Sequence, residues 1–346
     1  MKDLKYLIAY TLPLAAVLGM LVQGYWVFLT PAVAFILVPV LELLLPVQTD
    51  NLTATEVAIK NKNILFDWLL YLNIPITYFL VVWLLFTTAT SDLELFELIG
   101  LTISVGIVVG SNGINVAHEL GHRTRKWERF LGKLLLLPAL YMHFYIEHNF
   151  GHHQHAATPE DPATARFNQS IYSFWFTSIV RQYINAWKIQ LTLLSRNGSS
   201  FFSISNDMLW YTCFQLLYLW TIFIFLGSIA MFVALGVAVI AVLLLETINY
   251  IEHYGLVRLK KASGRYQRVA EIHSWNSNHV LGRMMLYELT RHSDHHYKSH
   301  KKYQLLEYHD VSPQMPFGYP TSMVIAMLPP LWFAIMNGRI PLEMRP

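Results

Sequence analysis

The sequence is short of cysteine, of charge and of linker-like segments, and each shortage excludes something. A single cysteine, Cys213, among 346 residues rules out an intrachain disulfide, a thiolate zinc site and an iron–sulfur cluster. Any metal must then be held by nitrogen or oxygen. Only 14% of residues are charged while 54% are hydrophobic, against about 25% charged in soluble domains, and the mean hydropathy is +0.38. That excludes an ordinary soluble enzyme. Internal repeats, low-complexity tracts and Gly/Ser linkers are missing, so nothing separates a second soluble domain. The mild net charge of +3 gives no reason to expect a nucleic-acid partner.

What the chain has instead is long apolar runs, near residues 5–22, 25–46, 65–88, 95–117, 208–227 and 229–248. Each is long enough to cross about 30 Å of hydrocarbon as a helix. The first run ends Leu21-Val22-Gln23-Gly24 without a small-x-small cleavage site, so it reads as a retained anchor. Shorter stretches at 133–146 and 321–336 read as membrane-surface or cap helices. Six crossings put both termini on one side. All 25 lysines and arginines agree: they fall at Lys2 and Lys5, at Lys60 and Lys62, between 118 and 206, and after 250. Gln23-Gly24, residues 90–94 and Gly227-Ser228 carry none. The positive-inside rule therefore places the termini and the large polar regions in the cytoplasm of a bacterial-type inner membrane. The expected architecture is an all-α integral membrane protein, a single domain over 1–346. Its spans lie in 1–117 and 207–248, with a cytosolic helical cap from 118–206 and 249–346 carrying a histidine-rich dimetal site.

All 15 histidines lie at or after residue 118. They concentrate in HELGH (118–122), EHNFGHHQH (147–155), NYIEHYGL (249–256) and RHSDHH (291–296). Ser111, Asn115, His118 and His122 share one helical face, and Glu246, Asn249 or Tyr250, and His253 repeat the spacing. Polar groups at membrane depth usually line a functional cavity; helix–helix hydrogen bonding is the alternative. His148 and His152 are four apart with His153 adjacent, and His292 and His296 are four apart with His295 between. On helices, each trio can converge on a shared centre. The four clusters supply nine histidines, more than the four to six ligands one ion accepts, which favours two metals. Nitrogen-rich ligation suits iron, zinc, copper or nickel. Glu119, Glu147, Asp161, Glu252 and Asp294 lie beside the clusters and can accept the second ring N–H of a ligand, or pair with nearby arginines. HELGH also matches the HExxH zinc-protease helix, with Glu119 as general base. A metal transporter is a third class, although transporters place ligands near the midplane on broken helices.

HELGHR, EHNFGHHQHAATPEDPATAR, NYIEHYGL, HSWNSNH and LTRHSDHH, in this order and spacing, resemble the integral-membrane di-iron alkane monooxygenases from about residue 60 to 335. Membrane fatty-acid desaturases and xylene side-chain monooxygenases share the spacing but not the wording. The resemblance implies that His118, His122, His148, His152, His153, His253, His292, His295 and His296 ligate two irons. His143, His155, His273, His279, His300 and His309 fall outside that set, with His273 and His279 candidates for supporting the ligands. It also implies a six-helix fold, O2 as co-substrate, terminal hydroxylation of alkanes to primary alcohols, and electrons from rubredoxin served by its reductase. An apolar channel inside the bundle would draw its walls from the spans around 25–46, 65–88 and 95–117. Members with a fused rubredoxin carry paired CxxC motifs, so with one cysteine here the donor is expected to be a separate chain. Arg123, Arg125, Lys126, Lys260, Lys261, Lys301 and Lys302 can dock such a donor, or simply follow the positive-inside rule. Hydroxylation or desaturation of fatty acyl or alkylaromatic substrates is the neighbouring alternative.

Overall fold

A computed structural model describes residues 2–345. Five of its helices are long and apolar enough to cross a membrane. They are α1 (Asp3–Val22), α2 (Gly24–Leu44), α3 (Leu65–Thr90), α4 (Leu95–Gly121) and, after α5 (Lys126–Leu135) and α6 (Ile171–Arg196), α7 (Asp207–His253). Among the described residues there is no β-strand, only isolated bridges such as Val47 with His279.

The 47 residues of α7 do not run straight. Gly227 breaks the helix with φ +84° and ψ 179°, a conformation glycine adopts at no steric cost. The neighbours Tyr141 and Met142 bond Glu246 and Gln215, positions that a continuous helix rising 1.5 Å per residue would hold roughly 46 Å apart. The chain therefore doubles back at Gly227, and α7 is a helical hairpin. Close approach of α4 to its second arm depends on missing side chains: a Cβ on Gly106 would meet Ile240 at 2.7 Å, and one on Gly236 would meet Thr102 at 2.9 Å. Small residues at such crossings let apolar helices pack backbone to backbone.

The lysine-bearing helix ends gather at one end of the bundle. Lys60 pairs with Asp3, Lys5 reaches Glu288 at 3.2 Å, Lys302 reaches Asp67 at 3.1 Å, and Lys133 reaches Asp207 at 2.7 Å. The starts of α1, α3 and α7 are thus tied to the polar segments that follow α4 and α7. Those segments carry α8 (Val280–Met285), α9 (His292–Tyr297), α10 (Tyr319–Ala326) and α11 (Pro329–Met336). The stretch 321–336 is not one helix, because Pro329 and Pro330 start a new one. Trp332 of α11 is buried against Tyr250 and Tyr254, so this region packs on the end of α7. The 133–146 stretch is likewise the tail of α5, a run of turns, and the short helix Phe144–Glu147.

Candidate metal centre

His118 lies in the last turn of α4, with His122 just past its end. His148 and His152 bound a π-helical turn, His253 ends α7, and α9 supplies His292, His295 and His296. All nine converge in two abutting groups that can each hold a metal ion: His118, His122, His148, His153 and His295 in one, His152, His253, His292 and His296 in the other. Between the groups, the rings of His153 and His296 have centroids 4.6 Å apart.

Each trio is split between the groups, contrary to the expectation that a trio serves one centre. The wider π-helical turn brings His148 and His153, five apart, together with their Nε2 atoms at 3.0 Å, and turns His152 toward the other group. On α9 the four-apart pair His292 and His296 stays together while His295 leaves. A helix displaces positions i+3 and i+4 to opposite sides of residue i, so one short helix can serve two centres.

Nitrogen spacing tests whether a metal fits. Nε2 atoms of His122, His148 and His153 lie 3.0–3.2 Å from one another. The pairs His152 with His296 and His253 with His292 are 3.1 and 3.2 Å apart. Lone pairs of neutral imidazoles repel at such distances unless a proton or cation sits between them. Around an ion with metal–nitrogen bonds of about 2.1 Å, donors at right angles stand about 3.0 Å apart, so the spacing suits a metal. His295 Nε2, buried without a hydrogen-bond partner, is a further nitrogen available to one. Burial, and after it the like charge of neighbouring rings, pushes His148, His153, His292, His295 and His296 well below the ordinary imidazole range. His122 is held at about 3 by burial first. These rings are neutral, the form that ligates metal. His152 goes the other way: burial would lower it, but the carboxylate of Asp161 raises it further.

The carboxylates divide sharply. Asp161 Oδ2 lies 2.9 Å from His152 Nδ1, which leaves Nε2 for a metal. Ala163 N and the Thr164 hydroxyl donate to Asp161 and fix it. Glu252 Oε2 lies 3.2 Å from His292 Nε2, and Tyr319 Oη donates to its other oxygen at 2.8 Å. The remaining candidates bond elsewhere. Glu119 is taken by Arg123 at 2.9 Å and by the Tyr303 amide. Glu147 accepts from Asn185. Glu246 accepts from Ser178, Gln182 and Tyr141, with Asn249 at 3.4 Å. Asp294 is held by Lys301 and His309. His273 accepts from the Ala270 amide, and His279 sits against Ser277. Asp294, Glu307 and His309 also form a cluster with ligand spacing, but the Lys301 ammonium fills it, 2.7 Å from Asp294 and 2.6 Å from Glu307. Tyr319 and Thr164 are the functional neighbours that pattern reading missed. Thr164 follows Asp161 at turn spacing and was open to discovery; Tyr319 is joined to Glu252 only by the fold.

An apolar cavity ends at the histidines. Leu12, Phe35, Val38, Ile107, Leu244 and Leu286 supply walls, and His118, His148, His292, Asn115, Asn249 and Glu252 stand at its polar head. The wall positions of α2 and α4 agree with the expected channel. No residue of 65–88 lines it; α7, the α8 region and α10 do instead.

Comparison with known proteins gives this assembly a context. The fatty acid desaturase family pattern matches residues 95–324, and the chain belongs to that family. Alkane 1-monooxygenase 2 of Pseudomonas aeruginosa is 36% identical over 319 residues, 91% of this chain and 84% of the relative. Alkane 1-monooxygenase 2 of Alcanivorax borkumensis is 43% identical over 242 residues, covering 70% of this chain but only 63% of that longer relative. The hydroxylase component of a xylene/toluene monooxygenase of Pseudomonas putida is 30% identical over 346 residues, 97% of this chain and 88% of the relative. Within the wider family the chain is an enzyme of the alkane 1-monooxygenase group, with the several apolar helices of a multi-pass membrane protein.

Proposed function

We propose that this protein hydroxylates the terminal methyl group of alkanes to primary alcohols, using O2, two protons and two electrons from a separate rubredoxin with its reductase. One observation carries the reading: nine histidines in two abutting groups form the head of an apolar cavity inside a helical bundle. His118, His122, His148, His153 and His295 would hold one iron, and His152, His253, His292 and His296 the other. Iron supplies, when bound, the redox chemistry of oxygen cleavage and C–H oxidation that zinc lacks. The chain's own residues do the rest. Asp161 fixes the proton of His152 on Nδ1, and Glu252, beside the His292 Nε2 that faces His253, would add negative charge next to the ion. An alkane has no polar handle, so the cavity binds it by shape and burial, at about 0.8 kcal/mol per buried CH2. A substrate dissolved in the bilayer would enter between spans and present its end to the histidines.

On this reading the hairpin of α7 makes six crossings from five helices, in one domain. Both termini and the histidine cap face the cytoplasm of a bacterial inner membrane, as the positive-inside rule requires. Lys301 and Lys302 are consumed by ion pairs with Asp294, Glu307 and Asp67, which leaves the exposed Arg125, Lys126, Lys260 and Lys261 as better candidates to meet an acidic donor. A zinc protease would need Glu119 free as a base, and Arg123 and Tyr303 hold it.

Metal analysis of the purified protein, then assay with medium-chain alkanes, fatty acids and alkylbenzenes plus rubredoxin and its reductase, tests the proposal. About two irons per chain and a primary alcohol are expected. Stoichiometric zinc without alcohol would overturn it. Exclusive turnover of alkylbenzenes would move the substrate to the second reading, which the xylene/toluene relative favours.

A further inference from the structure

We propose that Glu288 is a positioning residue for both metal ions, acting through α9, and that the N-terminal segment completes its clamp. The proposal rests on the dimetal reading above. Helix α9 has six residues, too few to be stable alone, yet it supplies His292 and His296 to one group and His295 to the other. Its position must be imposed from outside, and any displacement reaches both centres.

The backbone just before α9 shows what imposes it. Tyr287 and Glu288 are consecutive non-glycine residues in the left-handed region, φ +51° and +58°, a conformation that L side chains adopt only when their surroundings enforce it. Here the enforcing contacts are visible. Glu288 is buried at 3% exposure. Its Oε2 accepts from Arg283 Nε at 2.7 Å and lies 3.9 Å from Arg291 Nε. Its Oε1 accepts from Tyr6 Oη at 2.7 Å and from Lys5 Nζ at 3.2 Å, both on α1. Tyr287 Oη donates to the carbonyl of Leu69 and accepts from Asn73, both on α3.

The two arginines extend the clamp to other segments. Arg283 donates to the carbonyl of Gln48; Arg291, which immediately precedes His292, donates to those of Asp50 and Leu306. One carboxylate thus organises the start of α1, the loop after α2 and both flanks of α9. Burial alone would raise its pKa, but Arg283 and Lys5 override that and hold it at about 2, so it stays anionic between the cations. Removing the charge would leave two buried guanidiniums without their counter-ion.

The test compares wild type, Glu288→Gln, Glu288→Asp and Tyr6→Phe, each purified with 57Fe. Iron content, Mössbauer spectra and resistance to a chelator are read alongside helical circular dichroism. In Glu288→Gln we expect both iron sites to change together, with iron retention about tenfold weaker and helical content unchanged. Glu288→Asp should restore retention in part. Tyr6→Phe, which removes only the phenolic donor to Glu288, should perturb both Mössbauer doublets at full loading, and it carries the test if Glu288→Gln does not fold. Wild-type spectra and retention in Tyr6→Phe and in any folded Glu288→Gln would overturn the proposal, as would loss confined to one ion. A wild type lacking iron would instead overturn the dimetal reading.

Discussion

The two histidine groups are built from the same kind of side chain but stand in different surroundings. In the group of four, every histidine is buried, and two of them touch carboxylates: His152 on Asp161 and His292 on Glu252. In the group of five, His122 and His153 are only half-buried, and none of the nearby acids touches a ring. Asp161 takes the far nitrogen of His152, which fixes its tautomer and raises ligand basicity, whereas Glu252 lies beside the same His292 nitrogen that faces His253 and puts negative charge next to that ion site. The contrast therefore predicts a tightly held inner ion and a more accessible outer one, the outer lying nearer to any electron donor at the cap surface.

The largest expected effect breaks either group outright. His148→Ala and His292→Ala should each reduce hydroxylation to background, the first removing the outer ion and the second the inner, as read by iron stoichiometry and Mössbauer spectroscopy. Loss of both ions from either variant would show that the groups are not separable. Next in size, Asp161→Asn should weaken retention of the inner ion about 10- to 100-fold while sparing the outer; Glu252→Gln should act in the same direction. Equal loss from both groups would contradict the asymmetry between them. Timed chelation of the wild type should strip the outer ion first, leaving a one-iron species on the way to the apoprotein; a single concerted step would contradict that order. Smallest is a change that touches neither group. Val38→Phe narrows the cavity, so each CH2 that no longer fits should cost about 0.8 kcal/mol, roughly a fourfold loss in kcat/KM for the longest substrates, with iron content unchanged.

Much of this arrangement was legible in the residues. Apolar runs of about twenty locate the bundle helices, because a helix that must bury its backbone polarity in hydrocarbon has little choice of composition. Even Gly227, between two such runs, marks the reversal inside α7. The amphipathic helix α6 was less legible: it is 26 residues long and crosses nothing by composition, yet it supplies Ser178, Gln182 and Asn185 to the buried Glu246 and Glu147. The acids beside the histidine clusters could not be sorted by proximity in sequence. Glu119, adjacent to His118, bonds Arg123, whereas Asp161, nine residues beyond His152, holds its ring.

Chain chemistry alone dictated that thiolate cannot supply the donors of a metal site, and that the histidines gather in a few short motifs beyond the fourth apolar run. Those conclusions need only residue types and one-dimensional spacing. Folding decided which histidines share a group, which carboxylates touch them, and how α9 is held. A π-helical turn divides His148 and His153 from His152, and a strained turn fixed by Glu288 aims α9 at both centres. The second depends on contacts between segments up to 283 residues apart in the chain, where spacing along the sequence carries no information about distance.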